Sequence, residues 1–257
     1  MKDITYKYLI NKIKDNPAYL CLIDPDKVEV SQAKELACSY AENGADCILI
    51  GGSMMLNDRF CEAIKEIKKQ CPIPVVIFPG IFNFVSPDAD ALLLLSMISS
   101  RNPQVLINEQ VRSAPLIYKA KLETIPTAYM LIESGNMSSV QYMSHSLPIP
   151  SRKSDIAIVH ALAAQYLGMK LVYLEAGSGA EQQVPNEMIS KVREHIEIPV
   201  IVGGGIRNPE CAAEKAKAGA DFIVTGTILE GLNNPYLVRE FAEAIHSVKR
   251  KTDDRYS

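Results

Sequence analysis

Pro199-Val200-Ile201-Val202-Gly203-Gly204-Gly205-Ile206-Arg207-Asn208-Pro209 carries three structural instructions in one stretch. Pro199–Val202 is apolar at every position, as a strand covered on both faces requires, whereas a sheet with one wet face would alternate. The glycines that follow permit a tight backbone turn. Asn208 then reads as a helix N-cap with Pro209 at the first helical position, where a missing N–H leaves no bond unmade. Gly219 ends that helix, and Phe222–Thr225 is the next apolar run. Strand, loop, helix, strand is the unit that joins parallel strands by right-handed crossovers.

The unit recurs toward the N-terminus. Strands are expected at Tyr19–Asp24, Asp46–Gly51, Pro74–Phe78, Ala91–Leu95, Ala128–Glu133 and Leu171–Glu175. Between them lie helical stripes: Ala33, Leu36, Ala37, Tyr40 and Ala41, with Ser31 as a cap and Gly44 as a stop, then Phe60, Ile64 and Ile67. Leu237, Val238, Phe241, Ile245 and Val248 give a last helix its apolar face. Eight such units in 257 residues predict an α/β fold, a closed (β/α)₈ TIM barrel forming one domain over residues 1–257. A doubly wound open sheet is the competing fold.

Two stretches break the pattern. Pro79–Ala89 is too short and too proline-rich for a helix with two loops, so the third helix is expected to be missing, replaced by an extended segment. Ser134–Lys153 is a long Ser-, Met- and Pro-rich connection, read either as a lid or as a surface excursion.

A net charge of −3 excludes a broad nucleic-acid footprint, which needs clustered Lys and Arg. The N-terminal stretch lacks an apolar signal core and no run is long enough to span a bilayer, so a cytoplasmic protein without a transmembrane segment is expected. Cys21, Cys38, Cys47, Cys61, Cys71 and Cys211 form no C-x-x-C pair and read as reduced core residues.

Chemistry in a parallel barrel sits at the C-terminal strand ends. Three of these are glycine-rich: Glu175-Ala176-Gly177-Ser178-Gly179, Gly203-Gly204-Gly205 and Gly226-Thr227. Glycines let backbone N–H groups approach an anion closely, and the hydroxyls of Ser178 and Thr227 add donors, so phosphate is the expected guest. Tight turns alone are the plainer reading. The first two strands end in Asp24-Pro25-Asp26-Lys27 and Gly51-Gly52-Ser53, whose oxygens suit Mg²⁺ or, equally, helix capping. Glu175 stands beside a phosphate loop, placed for acid/base work on a hydroxyl or for a structural ion pair. Tyr173 lies two residues earlier on the same strand face, so both side chains are expected inside the barrel.

Taken together, Leu22-Ile23-Asp24-Pro25-Asp26-Lys27, Ile50-Gly51-Gly52-Ser53, Tyr173-Leu174-Glu175-Ala176-Gly177-Ser178-Gly179, Val202-Gly203-Gly204-Gly205-Ile206-Arg207 and Val224-Thr225-Gly226-Thr227 resemble the geranylgeranylglyceryl phosphate synthase family over nearly the whole chain. The resemblance implies a barrel without its third helix. It implies a Mg²⁺-dependent prenyltransferase that moves a geranylgeranyl group from geranylgeranyl diphosphate to the 3-hydroxyl of sn-glycerol 1-phosphate. Diphosphate is released, in the first ether-forming step of archaeal membrane phospholipid synthesis. Carried over by position, Asp24 and Ser53 would bind the metal. Tyr173, Leu174, Glu175, Ala176, Gly177, Ser178, Gly179, Gly204, Gly205, Gly226 and Thr227 would bind sn-glycerol 1-phosphate, with Glu175 as the catalytic residue. A related bacterial branch carries Lys where Leu22 stands, which favours the archaeal type. The family also implies a homo-oligomer, a dimer or an assembly of dimers, and its lipid product leaves room for transient contact with a membrane surface. The prenyl chain needs an apolar groove, for which Phe82, Phe84 and Tyr129 offer material.

Other classes share the phosphate loops. A barrel isomerase or lyase would need an acid/base pair across the mouth, and only Asp24 and Glu175 are obvious. An FMN-dependent oxidoreductase would purify coloured. A catalytically silent phosphate binder would have no use for Asp24, Ser53 and Glu175 together.

Overall fold

The computed structural model describes residues 3–52, 58–80, 84–230 and 234–249. Ser53 and Phe82 lie outside the described residues. Eight strands, β1 (Ala18–Ile23), β2 (Cys47–Ile50), β3 (Val75–Ile77), β4 (Ala91–Ser96), β5 (Glu123–Leu131), β6 (Leu171–Glu175), β7 (Val200–Gly203) and β8 (Phe222–Thr225), form one closed barrel in chain order. Neighbours are parallel, and β8 closes on β1 with Leu20 opposite Val224. Closure excludes the open doubly wound sheet.

The helices are α1 (Ile4–Lys12), α2 (Val30–Glu42), α3 (Phe60–Lys68), α4 (Glu109–Ala120), α5 (Ser139–Ser144), α6 (Ser154–Tyr166), α7 (Asn186–His195), α8 (Pro209–Lys217) and α9 (Pro235–His246). Among the described residues none lies between β3 and β4. There Phe84 packs on Phe60 of α3, ring centroids 5.6 Å apart, and covers the barrel wall where a helix would otherwise lie. No helix of the described residues is long and apolar enough to cross a membrane.

Strand alternation builds two cores. Leu20, Leu49, Val76, Leu93, Ile125, Tyr173, Ile201 and Val224 fill the barrel. Cys21, Ile48, Ile77, Leu92, Met130, Val172, Val202 and Ile223 face the helices. Burial on both faces explains the unbroken apolar runs.

Local signals set several boundaries. Asn208 caps α8 by accepting from Cys211 N–H at 2.8 Å, with Pro209 next. Gly44 and Gly219, at φ +97° and +112°, follow the ends of α2 and α8. Ser31, expected as a cap, lies inside α2 instead. The helix starts two residues earlier, where Glu29 N–H donates to Gln32 Oε1 at 3.1 Å. Cys61, expected in the core, is exposed on α3, although all six cysteines are free.

β5 begins at Glu123, five residues before the expected Ala128, and runs through Pro126, a residue that usually interrupts a strand. Its carbonyl accepts from Lys170 N–H at 2.8 Å on the β6 side, where pairing starts only at Thr127 and Leu171. The missing N–H therefore removes no rung. The start of β5 also holds α1, which sequence patterning did not reveal. Glu123 Oε2 accepts from Ile4 and Thr5 N–H, both at 2.9 Å, and Oε1 from Tyr6 N–H at 2.8 Å. Leu9 and Ile13 then plug the N-terminal end of the barrel.

Those three bonds satisfy helix donors that nothing local would meet. Glu123→Ala is expected to destabilise the fold by about 2 kcal/mol and to speed amide exchange across residues 4–13 first. Unchanged exchange there would show that α1 is held by packing alone.

Candidate active site

β6 delivers the central group. Leu174 points to the outer core while Tyr173 and Glu175 enter the barrel, as alternation requires. Glu175 is only 7% exposed. Gly177 N–H donates to its Oε1 at 2.7 Å, and the Tyr173 hydroxyl donates to it as well. Both donors favour the ionised form, but burial outweighs them and pushes the Glu175 pKa up to about 6. The Tyr173 hydroxyl is pushed up too, first by burial and then by the Glu175 charge, so it keeps its proton.

β7 leaves room for this pair. A methyl group on Gly203 would collide with Tyr173 Oη, and one on Gly204 would collide with Glu175 Oε1. Gly204 also sits at φ +84°, a conformation that side chains disfavour.

The glycine loops after β6, β7 and β8 meet around one hollow. Ser178 Oγ and Thr227 Oγ1 are 3.1 Å apart across 49 positions of sequence. Gly179, Gly204, Gly205 and Gly226 line the same cavity of about 560 Å³. Gln183 Nε2 donates to Gly205 O at 3.0 Å and Arg207 Nη2 to Ala180 O at 3.1 Å, tying the β6 and β7 loops together. Two hydroxyls, glycine backbone and a guanidinium suit a phosphate group. Leu174, Ala176 and Gly177 do not line the cavity. The first two face the outer core, and Gly177 gives its N–H to Glu175. The sequence had not singled out Arg207 or Lys27, yet both line the cavity.

Asp24 marks another corner. Its Oδ1 accepts from Asp26 N–H at 3.0 Å, and Lys27 Nζ lies 3.8 Å from Oδ2. Burial raises its pKa, against the Asp26 N–H and the Lys27 charge. Gly52 keeps the carboxylate open, since a Cβ there would lie 2.9 Å from both oxygens. No group of three or more His, Cys, Asp or Glu suited to a metal occurs among the described residues. One open carboxylate fits an ion that takes its remaining ligands from substrate phosphates and water, as Mg²⁺ does.

An apolar extension of about 70 Å³ adjoins the cavity, sharing Gly52, Phe78, Tyr129 and Val140 with it. It continues past Leu95, Met97 and Val105, with Glu109 and Gln110 of α4 also in its wall, on the side where the described chain has no helix after β3. Tyr129 lies in it, but Phe84 belongs to the outer wall. Phe78, Tyr129 and Tyr173 form an aromatic group with centroids 5.5 to 6.4 Å apart. The 134–153 connection holds α5 and is tied down at Ile149, whose N–H donates to Leu131 O at 2.8 Å. Ser139 and Val140 of α5 line the cavity, so the segment covers the mouth and is no mere excursion.

A sequence profile described as the PcrB family matches residues 10–245. Geranylgeranylglyceryl phosphate synthase of Korarchaeum cryptofilum is 46% identical over 227 residues, covering 88% of this chain and 93% of the relative. The Chitinophaga pinensis protein of that name is 44% identical over 240 residues, covering 93% and 94%. Among solved structures, (S)-3-O-geranylgeranylglyceryl phosphate synthase from Thermoplasma acidophilum, in complex with its substrate sn-glycerol-1-phosphate, superposes with a TM-score of 0.91. It is 37% identical, with 96% of this chain and 100% of that one covered.

The Glu175 carboxyl has a measurable consequence for stability. Its native pKa of about 6 lies above the ordinary 4.5, so the native state binds more protons in that window and stability falls as pH rises through it. Above about pH 6 the buried charge costs roughly 2 kcal/mol. Glu175→Gln is expected to melt above wild type at pH 8, with the gap closing by pH 4. Equal melting at both pH values would show that the carboxylate carries no burial cost.

Proposed function

The chain belongs to the PcrB family, and on that premise we propose that it joins a prenyl group, from geranylgeranyl diphosphate, to the 3-hydroxyl of sn-glycerol 1-phosphate. The observation that carries this reading is the position of Glu175. Its buried carboxylate lines one cavity with the glycine-lined phosphate hollow and Asp24, and that cavity adjoins an apolar extension. Prenyl transfer to a phosphorylated alcohol needs all four features. An isomerase or lyase needs no apolar channel, and no observation favours an FMN enzyme.

The acceptor's phosphate lies among Ser178, Gly179, Gly204, Gly205, Gly226 and Thr227, near the Arg207 guanidinium. Its 3-hydroxyl then faces Glu175. With a pKa of about 6 the carboxylate is ionised at neutral pH yet remains a competent base. Tyr173 and Gly177 fix its orientation. The hydroxyl oxygen forms a bond to the first prenyl carbon as the carbon–oxygen bond to diphosphate breaks, and the proton passes to Glu175. Phe78, Tyr129 and Tyr173 line the same cavity, and ring quadrupoles attract positive charge of the kind that develops on the allylic carbon. The chain's hydrocarbon runs into the apolar extension past Leu95, Met97 and Val105. Asp24 would hold Mg²⁺, with Ser53, outside the described residues, as its second expected ligand, and an ion held there would supply charge to offset that of the leaving diphosphate.

The direct test incubates the protein with Mg²⁺, labelled sn-glycerol 1-phosphate and prenyl diphosphates of graded length, then extracts lipid into organic solvent. A labelled extract with the geranylgeranyl donor is expected, and its absence with every donor would end this reading. Turnover is expected to rise with pH through about 6 as Glu175 ionises. Glu175→Gln is expected to lower turnover by about 10²–10⁴ with acceptor binding kept. A Gln variant within a few-fold of wild type would leave Glu175 a positioning role only.

A further inference from the structure

Two side-chain cations among the described residues line the active cavity, Arg207 and Lys27. Arg207 is tied to the phosphate hollow through Ala180 O. Lys27 stands at the Asp24 corner, where its Nζ donates to both carboxylate oxygens of Glu230 at 2.7 and 2.6 Å. This clasp joins the loop after β1 to the segment ahead of α9 across 203 positions.

Two observations set the clasp apart from an ordinary surface pair. The ammonium already lies 3.8 Å from Asp24 Oδ2, so an anion brought to Asp24 by a metal falls within its reach. Lys27 and Glu230 also line a second cavity of about 470 Å³, walled by Leu36 and Tyr40 of α2. Open space on both sides and 46% exposure of its side chain leave room for the Lys27 ammonium to turn from Glu230 toward the Asp24 corner.

Diphosphate carries more negative charge than one divalent ion cancels, and an ammonium supplies three donors on a flexible stem. Building on the function proposed above, we propose that Lys27 is a diphosphate-binding residue, parked on Glu230 until the donor's diphosphate takes its ammonium. Glu230 competes for the same cation. Its charge therefore weakens the hold on the donor and helps free diphosphate to leave after the ether has formed.

The two partners must then act in opposite directions. Calorimetric titration of the full-length protein with inorganic diphosphate and Mg²⁺ reads this without turnover. Lys27→Met is expected to weaken diphosphate binding about 10- to 100-fold and to raise the donor KM, leaving sn-glycerol 1-phosphate binding unchanged. Glu230→Gln is expected to tighten diphosphate binding about two- to fivefold. A clasp that only holds the loops together predicts the same sign for both variants, with lower melting temperatures. The inference is overturned if Lys27→Met binds diphosphate as tightly as wild type, or if Glu230→Gln weakens binding. If the wild type forms ether while Lys27→Met binds normally, only this inference falls. If the wild type forms no ether with any donor, the proposed function falls and this inference with it.

Discussion

Glu175 holds a charge where water barely reaches, and the neighbouring backbone is shaped around that fact. Gly203 and Gly204 have no side chains because the Tyr173 hydroxyl and the Glu175 carboxylate occupy that space. Gly177 turns its N–H back toward the carboxylate and so begins the loop that ends at Ser178 and Gly179. With only two donors against burial, the group is left near neutrality in pKa, between a stable anion and a stable acid. An apolar residue there would pack more cheaply. The barrel therefore gives up stability at a point where its chemistry needs a base.

The fold was legible because each strand is covered on both faces. All eight expected strands are present, since a run such as Leu171–Leu174 has no polar partner to alternate with. Caps with short-range geometry were legible too, as at Asn208-Pro209. What escaped depends on residues far apart in sequence. α1 is organised by Glu123, more than a hundred positions away, and no local pattern announces that bond. The early start of β5 escaped for the same reason: its Pro126 is harmless because β6 has not yet begun beside it, and that is a property of the sheet.

The site was legible in part, for the same reason. Tyr173 and Glu175 share a strand face, so their inward direction follows from a period of two. The glycine runs marked anion-binding loops, but a glycine motif does not say which glycines face a ligand and which make way for a neighbouring side chain. Gly203, Gly204 and Gly177 serve Glu175 and Gly179 borders open space, whereas Gly205 and Gly226 line the cavity but also make way for Ala180 and Leu22. Lys27 and Arg207 were passed over because a single cation beside a loop carries no spacing signal. Their importance appears only when Ala180 and Glu230 are seen as their partners.

The break in the barrel's repeat and the site's chemistry have one physical cause. A helix packed after β3 would seal that side of the mouth, and a hydrocarbon lying there would have to displace it. Short aromatic cover solves both problems. Phe84 leans on Phe60 and keeps the outer wall of β3 dry. Phe78 turns inward to meet Tyr129 and Tyr173, giving the mouth an apolar floor between its polar half and its apolar extension. The polar half follows β6, β7 and β8, and the apolar half follows β3 and β4, so the aromatic group marks the boundary between them. A charged acceptor and a greasy donor can meet only along such a boundary. Glu175 lies there, hydrogen-bonded to one member of that aromatic group.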